Sequence, residues 1–237
     1  MSATLEATLK DGVQALGLDL SEAQFTQLLD YLALIQKWNK VYNLTAVRDP
    51  AEMLTHHLLD SLAVIGPLRR QLMSVRPELV EGRGGEKGLR QAQPERIKLL
   101  DVGAGAGLPG VVIAICCPDI TVTCVDTVAK KAAFVQQVAV ALKLPNLRGL
   151  HARVETLAEG YDVVCSRAFA SLVDFTNWSR SALAPAGFWL AMKGKQPADE
   201  LAQLPADVVV FHVEQLAVPG LGAERCIVWM KPSPASV

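Results

Sequence analysis

The feature that most narrows what this chain can fold into is the stretch Ile97 to Gly110, IKLLDVGAGAGLPG. Its first six residues are mostly apolar, with a single Lys and with Asp101 near the end, as expected of a parallel strand buried on both faces. Gly103, Gly105 and Gly107 follow on alternate positions, then Leu108, Pro109, Gly110 and the apolar run VVIAICC. Strand, glycine turn and helix therefore come in direct succession. Glycine adopts positive φ and carries no Cβ, so the turn can be tight and its backbone can approach a ligand. Proline suits the first turn of the helix that follows. A turn of this kind after the first strand of an α/β sheet is where a nucleotide-like ligand binds.

Two ligands fit the spacing. Read from Gly105, the stretch is a literal GxGxxG, and Asp126 lies near the spacing of a ribose-binding acid in NAD enzymes. Read from Asp101, it is Asp-x-Gly-x-Gly-x-Gly, the first motif of class I S-adenosylmethionine (SAM) methyltransferases, with Asp126 ending the second strand, TVTCVD. A dinucleotide fold aims its helix N-terminus at a pyrophosphate. SAM has no phosphate and carries an ammonium and a sulfonium, so an acid at Asp101 makes better electrostatic sense for SAM.

From Ile97 onward strand and helix alternate, the signature of a parallel α/β sheet. Expected strands are Ile97 to Val102, TVTCVD, Leu147 to Ala152, YDVVCSR ending in Arg167, and FWLAMK. The intervening helices are Leu108 to Cys117, Thr127 to Leu142, and Ser171 to Leu183. DVVVFHVEQL and ERCIVWM read as a terminal hairpin, with the last strand antiparallel. Ligands bind outside the carboxyl ends of such strands, which puts Asp101, Asp126, Arg153, Val154, Glu155, Arg167 and Lys193 on one rim.

Residues 1–75 read as a helical cap. Leu5, Leu9, Val13 and Leu16 recur at helical spacing before Gly17. Ser21 with Gln24 forms a capping-box pattern that opens a longer helix, and Asp49-Pro50 opens a third. Trp38, Lys40, Tyr42 and Asn43 either contact nucleotides or pack the cap against the sheet. At i and i+4, His56 and Asp60 share a helix face and are expected to pair. Residues 76–96 are rich in Gly, Arg, Glu and Gln with little apolar periodicity, and read as a flexible insertion or linker. The methyltransferase domain is then 97–237.

The formal net charge is −1, with 6 basic and 8 acidic side chains in residues 1–75, so an RNA partner would be held by a local cluster of cations. The five cysteines form no CxxC pair and lie in apolar segments, which favours buried thiols over structural zinc. No metal is expected. No apolar run approaches the roughly 18 residues of a membrane span, and no signal pattern opens the chain, so a cytoplasmic location is expected.

WNKVYNLT, HHLLDS, DVGAGAGLPG, the RVE triplet at Arg153 to Glu155, SRAFASL, MKGK and GAERCIVWMK, in this order and spacing, resemble the bacterial GidB/RsmG family. Members of that family are SAM-dependent 16S ribosomal RNA methyltransferases that modify N7 of a guanine, guanine 527, in the small subunit. The resemblance covers nearly the whole chain outside residues 76–96. Asp101 is expected to bind SAM on the electrostatic ground given above, and the resemblance implies SAM contacts at Gly103, Gly105, Leu108, Asp126, Val154, Glu155 and Arg167, with Asp126 on the ribose hydroxyls and Val154 and Glu155 framing the adenine. It further implies RNA contacts at Lys130, Arg153, Lys193 and Arg225. Arg167, Lys193 and Arg153 would position the substrate, the partner would be 16S rRNA or the small ribosomal subunit, and the enzyme would act as a monomer. Guanine N7 has a lone pair and no proton, so no general base is expected. A methyltransferase acting on small molecules or proteins, and an RNA-binding module holding SAM only structurally, remain the alternatives.

Overall fold

The computed structural model describes residues 3–75 and 96–233. The expected flexible insertion lies outside the described residues but for its last position. Seven strands form one sheet: β1 (Ile97–Val102), β2 (Ile120–Asp126), β3 (Leu147–His151), β4 (Tyr161–Arg167), β5 (Leu183–Lys193), β6 (Val208–Gln215) and β7 (Cys226–Pro232). Their order is β3-β2-β1-β4-β5-β7-β6. The first five run parallel, and β7 is antiparallel to both β5 and β6. Strand order reverses at β1, between β2 and β4, and a crevice opens there beyond the strand tips. β1 has the burial its composition demands, with Leu99, Leu100 and Asp101 all fully buried.

β5 begins five residues earlier than FWLAMK suggests, and the preceding helix α8 (Leu172–Ser179) is correspondingly shorter, ending in a 3-10 turn at Arg180–Ala182. Leu183 pairs with Tyr161 across an irregular register, a long-range contact that local periodicity does not carry. The remaining sheet helices are α6 (Gly110–Cys116), α7 (Ala129–Ala141) and α9 (Ala198–Ala202).

The cap comprises α1 (Ala3–Ala15), α2 (Glu22–Tyr42), α3 (Pro50–Met53), a π-helical turn (Leu54–Leu59), α4 (Asp60–Leu62) and α5 (Ile65–Val75). The capping box at Ser21 and Gln24 forms as expected, and Asp49 caps α3 with Pro50 in its first turn. One apolar core runs from Leu9 of α1 through α2 and α6 to Trp229 of β7, so the cap shares the core of one sheet face. The other face packs Leu100, Val164, Phe175 and Trp189.

Three side chains along one face of α2 fix the cap to the sheet region. Gln24 Nε2 donates to the Ile115 carbonyl at 2.9 Å, and Gln27 Nε2 donates to that of Leu142, also at 2.9 Å. These carbonyls lie at the C-terminal ends of α6 and α7, where helical partners run out. Tyr31 O–H donates to the Ala106 carbonyl in the glycine turn at 2.6 Å. No helix among the described residues is long and apolar enough to cross a membrane.

Candidate active site

Gly103, Gly105 and Gly107 all have positive φ, at 66°, 58° and 91°. The turn is fixed from below and from the side. Asp101 Oδ2 accepts the Gly110 N–H at 2.8 Å, and Asp126 Oδ2 accepts that of Gly105 at 3.0 Å. Asp126 also takes the Val128 N–H at 2.8 Å, so this one carboxylate joins the first and second strand tips.

Two cavities meet at Gly103. The smaller, about 350 Å³, is lined by Asp126, Thr127, Lys131, Arg153, Val154, Glu155, Phe169 and Trp178. The ring of Phe169 lies against Gly103, where any Cβ would collide with it. Phe169 also meets Trp178 edge to face at 5.8 Å between centroids. This cavity therefore has acids on one wall and aromatic rings on another.

The larger cleft, about 470 Å³, lies between the cap and the tips of β1, β4 and β5. It holds Gly105, Leu108, Arg167, Lys193 and Arg225 together with Thr45, His57 and Asp60. Asp60 is 2% exposed and serves two arginines. Arg167 Nη1 donates to its Oδ2 at 2.8 Å and Arg225 Nε to its Oδ1 at 2.9 Å. Arg167 Nη1 also donates to the His56 carbonyl at 2.9 Å. A single carboxylate thus holds guanidiniums from β4 and from the segment before β7, and leaves the cluster with a net positive charge. Lys193 Nζ is held by Glu200 at 2.8 Å, and the same carboxylate accepts the Leu172 N–H at the start of α8.

The expected His56–Asp60 side-chain pair does not form, because both Asp60 oxygens are taken by charged guanidiniums. His56 enters the cluster through its backbone instead. The cap presents these groups from the π-helical turn, a distortion frequent at functional sites. Burial and then Arg167 lower the His57 pKa to about 4, so its ring is neutral at pH 7 and bonds Thr45 Oγ1 at 2.8 Å. Trp38 and Tyr42 stack on each other at 5.1 Å and pack against the core, so of the two readings of that segment the rings take the packing role.

Most of the residues singled out in the sequence converge on these two cavities, with two exceptions. Asp101 lies beneath the turn, fully buried, and lines neither cavity; a strand-end acid one residue before Val102 points into the α6 side. Lys130 is exposed on the outer side of α7, and its neighbour Lys131 faces the smaller cavity instead. Arg153 reaches the rim but is 74% exposed and paired with Glu155 at 3.1 Å. Sequence reasoning missed Asp60 as an arginine anchor and Phe169 and Trp178 as a wall. It also missed Ala168, whose φ of 51° turns the chain sharply after Arg167. A non-glycine residue at positive φ leaves no signature in the sequence, and the arginine anchor depends on positions more than 100 residues apart.

Residues 24–74 and 87–228 match the family model described as GidB, rRNA small subunit methyltransferase G. Relatives that carry the name Ribosomal RNA small subunit methyltransferase G include those of three bacteria. That of Acidovorax ebreus is 68% identical, covering 97% of this chain and 96% of its own. That of Acidovorax sp. is 66% identical over the same shares. That of Polaromonas naphthalenivorans is 64% identical, covering 96% of each. The chain belongs to the GidB family.

Proposed function

We propose that this protein transfers the methyl group of SAM to N7 of a guanine in 16S rRNA of the small ribosomal subunit, guanine 527 by family resemblance. The smaller cavity fits the adenosine half of the cofactor. A carboxylate has about four lone-pair sites; Asp126 uses two of them on backbone N–H groups, which leaves acceptors for a ribose diol. Val154, Glu155 and Phe169 line the same cavity and would frame the base. Gly105 is open on the cleft side, with nothing nearer to a Cβ than the Gly103 carbonyl at 3.9 Å, so its bare backbone admits the methionine end.

The observation that carries the reading is the character of the larger cleft, which places Arg167, Arg225 and Lys193 around a space that adjoins the glycine turn. SAM supplies an electrophilic methyl on a sulfonium, and guanine N7 needs no deprotonation to attack it. The cleft is built accordingly. His57 is a weak base bonded to Thr45, and each oxygen of Asp60 is engaged by a guanidinium. What the chain supplies is alignment. Arginine grips the O6/N7 edge of guanine, and here its work is to present the ring through O6 and the flanking phosphates while N7 faces the methyl. Arg167, fixed through two partners, is the residue assigned to this positioning.

Incubation with methyl-labelled SAM and small subunits lacking the modification tests the proposal, with 7-methylguanine mapped in the product RNA. Label is expected at one guanine. Saturable SAM binding with no transfer to naked 16S rRNA or to particles would refute it.

A further inference from the structure

A second cation cluster lies on the cap, outside the cleft. Lys37 and Lys40 on the last turns of α2, with Arg48 from the loop that follows, line a groove of about 580 Å³. Each cation assigned above to the two cavities is paired with a carboxylate: Arg167 and Arg225 share Asp60, Lys193 meets Glu200, and Arg153 meets Glu155. Lys37, Lys40 and Arg48 have no such partner among the described residues, and both lysines are exposed. Gln36 lines the same groove, and its Nε2 has no hydrogen-bond partner among the described residues. Arg48 caps the Asn39 carbonyl and reaches Asn43 Oδ1, so an anion arriving there meets a guanidinium in place of a bare helix end.

The same loop builds both sites: Leu44, Thr45 and Val47 line the cleft, and Arg48 lines the groove. The groove therefore adjoins the cleft through residues that follow one another in the chain. With Trp38 and Tyr42 stacked on each other, the groove offers charge and amide donors with no free ring for a base, a pattern that suits the sugar-phosphate chain.

We propose that the Lys37, Lys40 and Arg48 groove binds the phosphodiester backbone of single-stranded RNA next to the target base. The inference rests on the rRNA reading above, and its test is separable from it. The Lys37→Gln/Lys40→Gln variant is compared with wild type in binding a fluorescein-labelled single-stranded RNA oligonucleotide across a salt series, and in methylation of small subunits. Each lost phosphate contact flattens the slope of log K against log salt by about 0.7, so the pair is expected to flatten it by about 1.4. KM for the particle is expected to rise about tenfold, with kcat and SAM affinity unchanged, and Lys40→Arg to behave as wild type. An unchanged slope together with an unchanged KM overturns the groove assignment. A wild-type protein that binds the oligonucleotide yet methylates no RNA overturns the functional reading instead, and the salt slopes still decide the groove.

Discussion

Replacing Asp101 by Asn should remove a pH dependence from stability. Asp101 is fully buried, and burial raises its pKa from 3.8 to about 7 against the lowering effects of the Gly110 N–H and of Arg167. In the unfolded chain the carboxyl ionises near its usual value, so between about pH 4 and about pH 7 the native state holds a proton that the unfolded state has lost. Stability therefore falls as pH rises through this window, by about 1.4 kcal/mol per unit, and is level above it. The whole window is worth about 4 kcal/mol, and the part between about pH 5 and about pH 7 about 3 kcal/mol. Asn keeps an acceptor for the Gly110 N–H and carries no such term; its buried amide N–H groups add a pH-independent cost of about 1–3 kcal/mol. Urea unfolding of both proteins, followed by tryptophan fluorescence without SAM, gives the difference at each pH. The wild-type stability minus that of the variant should shrink by about 3 kcal/mol from about pH 5 to about pH 7. A constant difference, or one that grows with pH, would show that Asp101 is ionised in the native protein and would refute the reasoning.

Asp60→Asn exposes one of the two arginines to an amide donor in place of an acceptor. It is expected to lower stability by about 1–3 kcal/mol and to reduce kcat with little change in SAM affinity; calorimetry and turnover on small subunits check both. Arg167→Ala should fold, because Asp60 keeps its bond to Arg225, and should methylate poorly; wild-type turnover would remove Arg167 from the site. Gly105→Val meets open space, so its cost is the left-handed backbone, about 1–2 kcal/mol, and a folded protein that no longer binds SAM by titration is expected. Unchanged affinity would displace the cofactor from the turn.

How much of this was legible depends on the range of the interactions. The strand, the glycine turn, Asp126 and the capping box at Ser21 are set by neighbours within a few residues, and their residue types announce them. Arg167 and Lys193 could be placed at strand tips because the α/β alternation fixes where tips lie. Their partners could not: Asp60 reaches Arg167 through tertiary packing, where its spacing suggests His56, and Glu200 meets Lys193 only through the turn into α9. Asp101 shows the converse. Its motif position was clear, but the direction of its side chain depends on the pleat, and the pleat turned it towards Gly110. Phe169 and Trp178 are two aromatics with no period, brought to one wall by the sharp turn at Ala168.

The arginine anchor spans the chain: Asp60 meets Arg167 at a separation of 107 residues and Arg225 at 165. Asp60 is synthesised more than 100 residues before either arginine, so during synthesis the acid precedes both of its guanidiniums. The arginine anchor is complete only once the segment before β7 has been made. A nascent or C-terminally clipped copy thus carries the turn that holds the methyl donor without the arginine pair that would steer a nucleobase towards it.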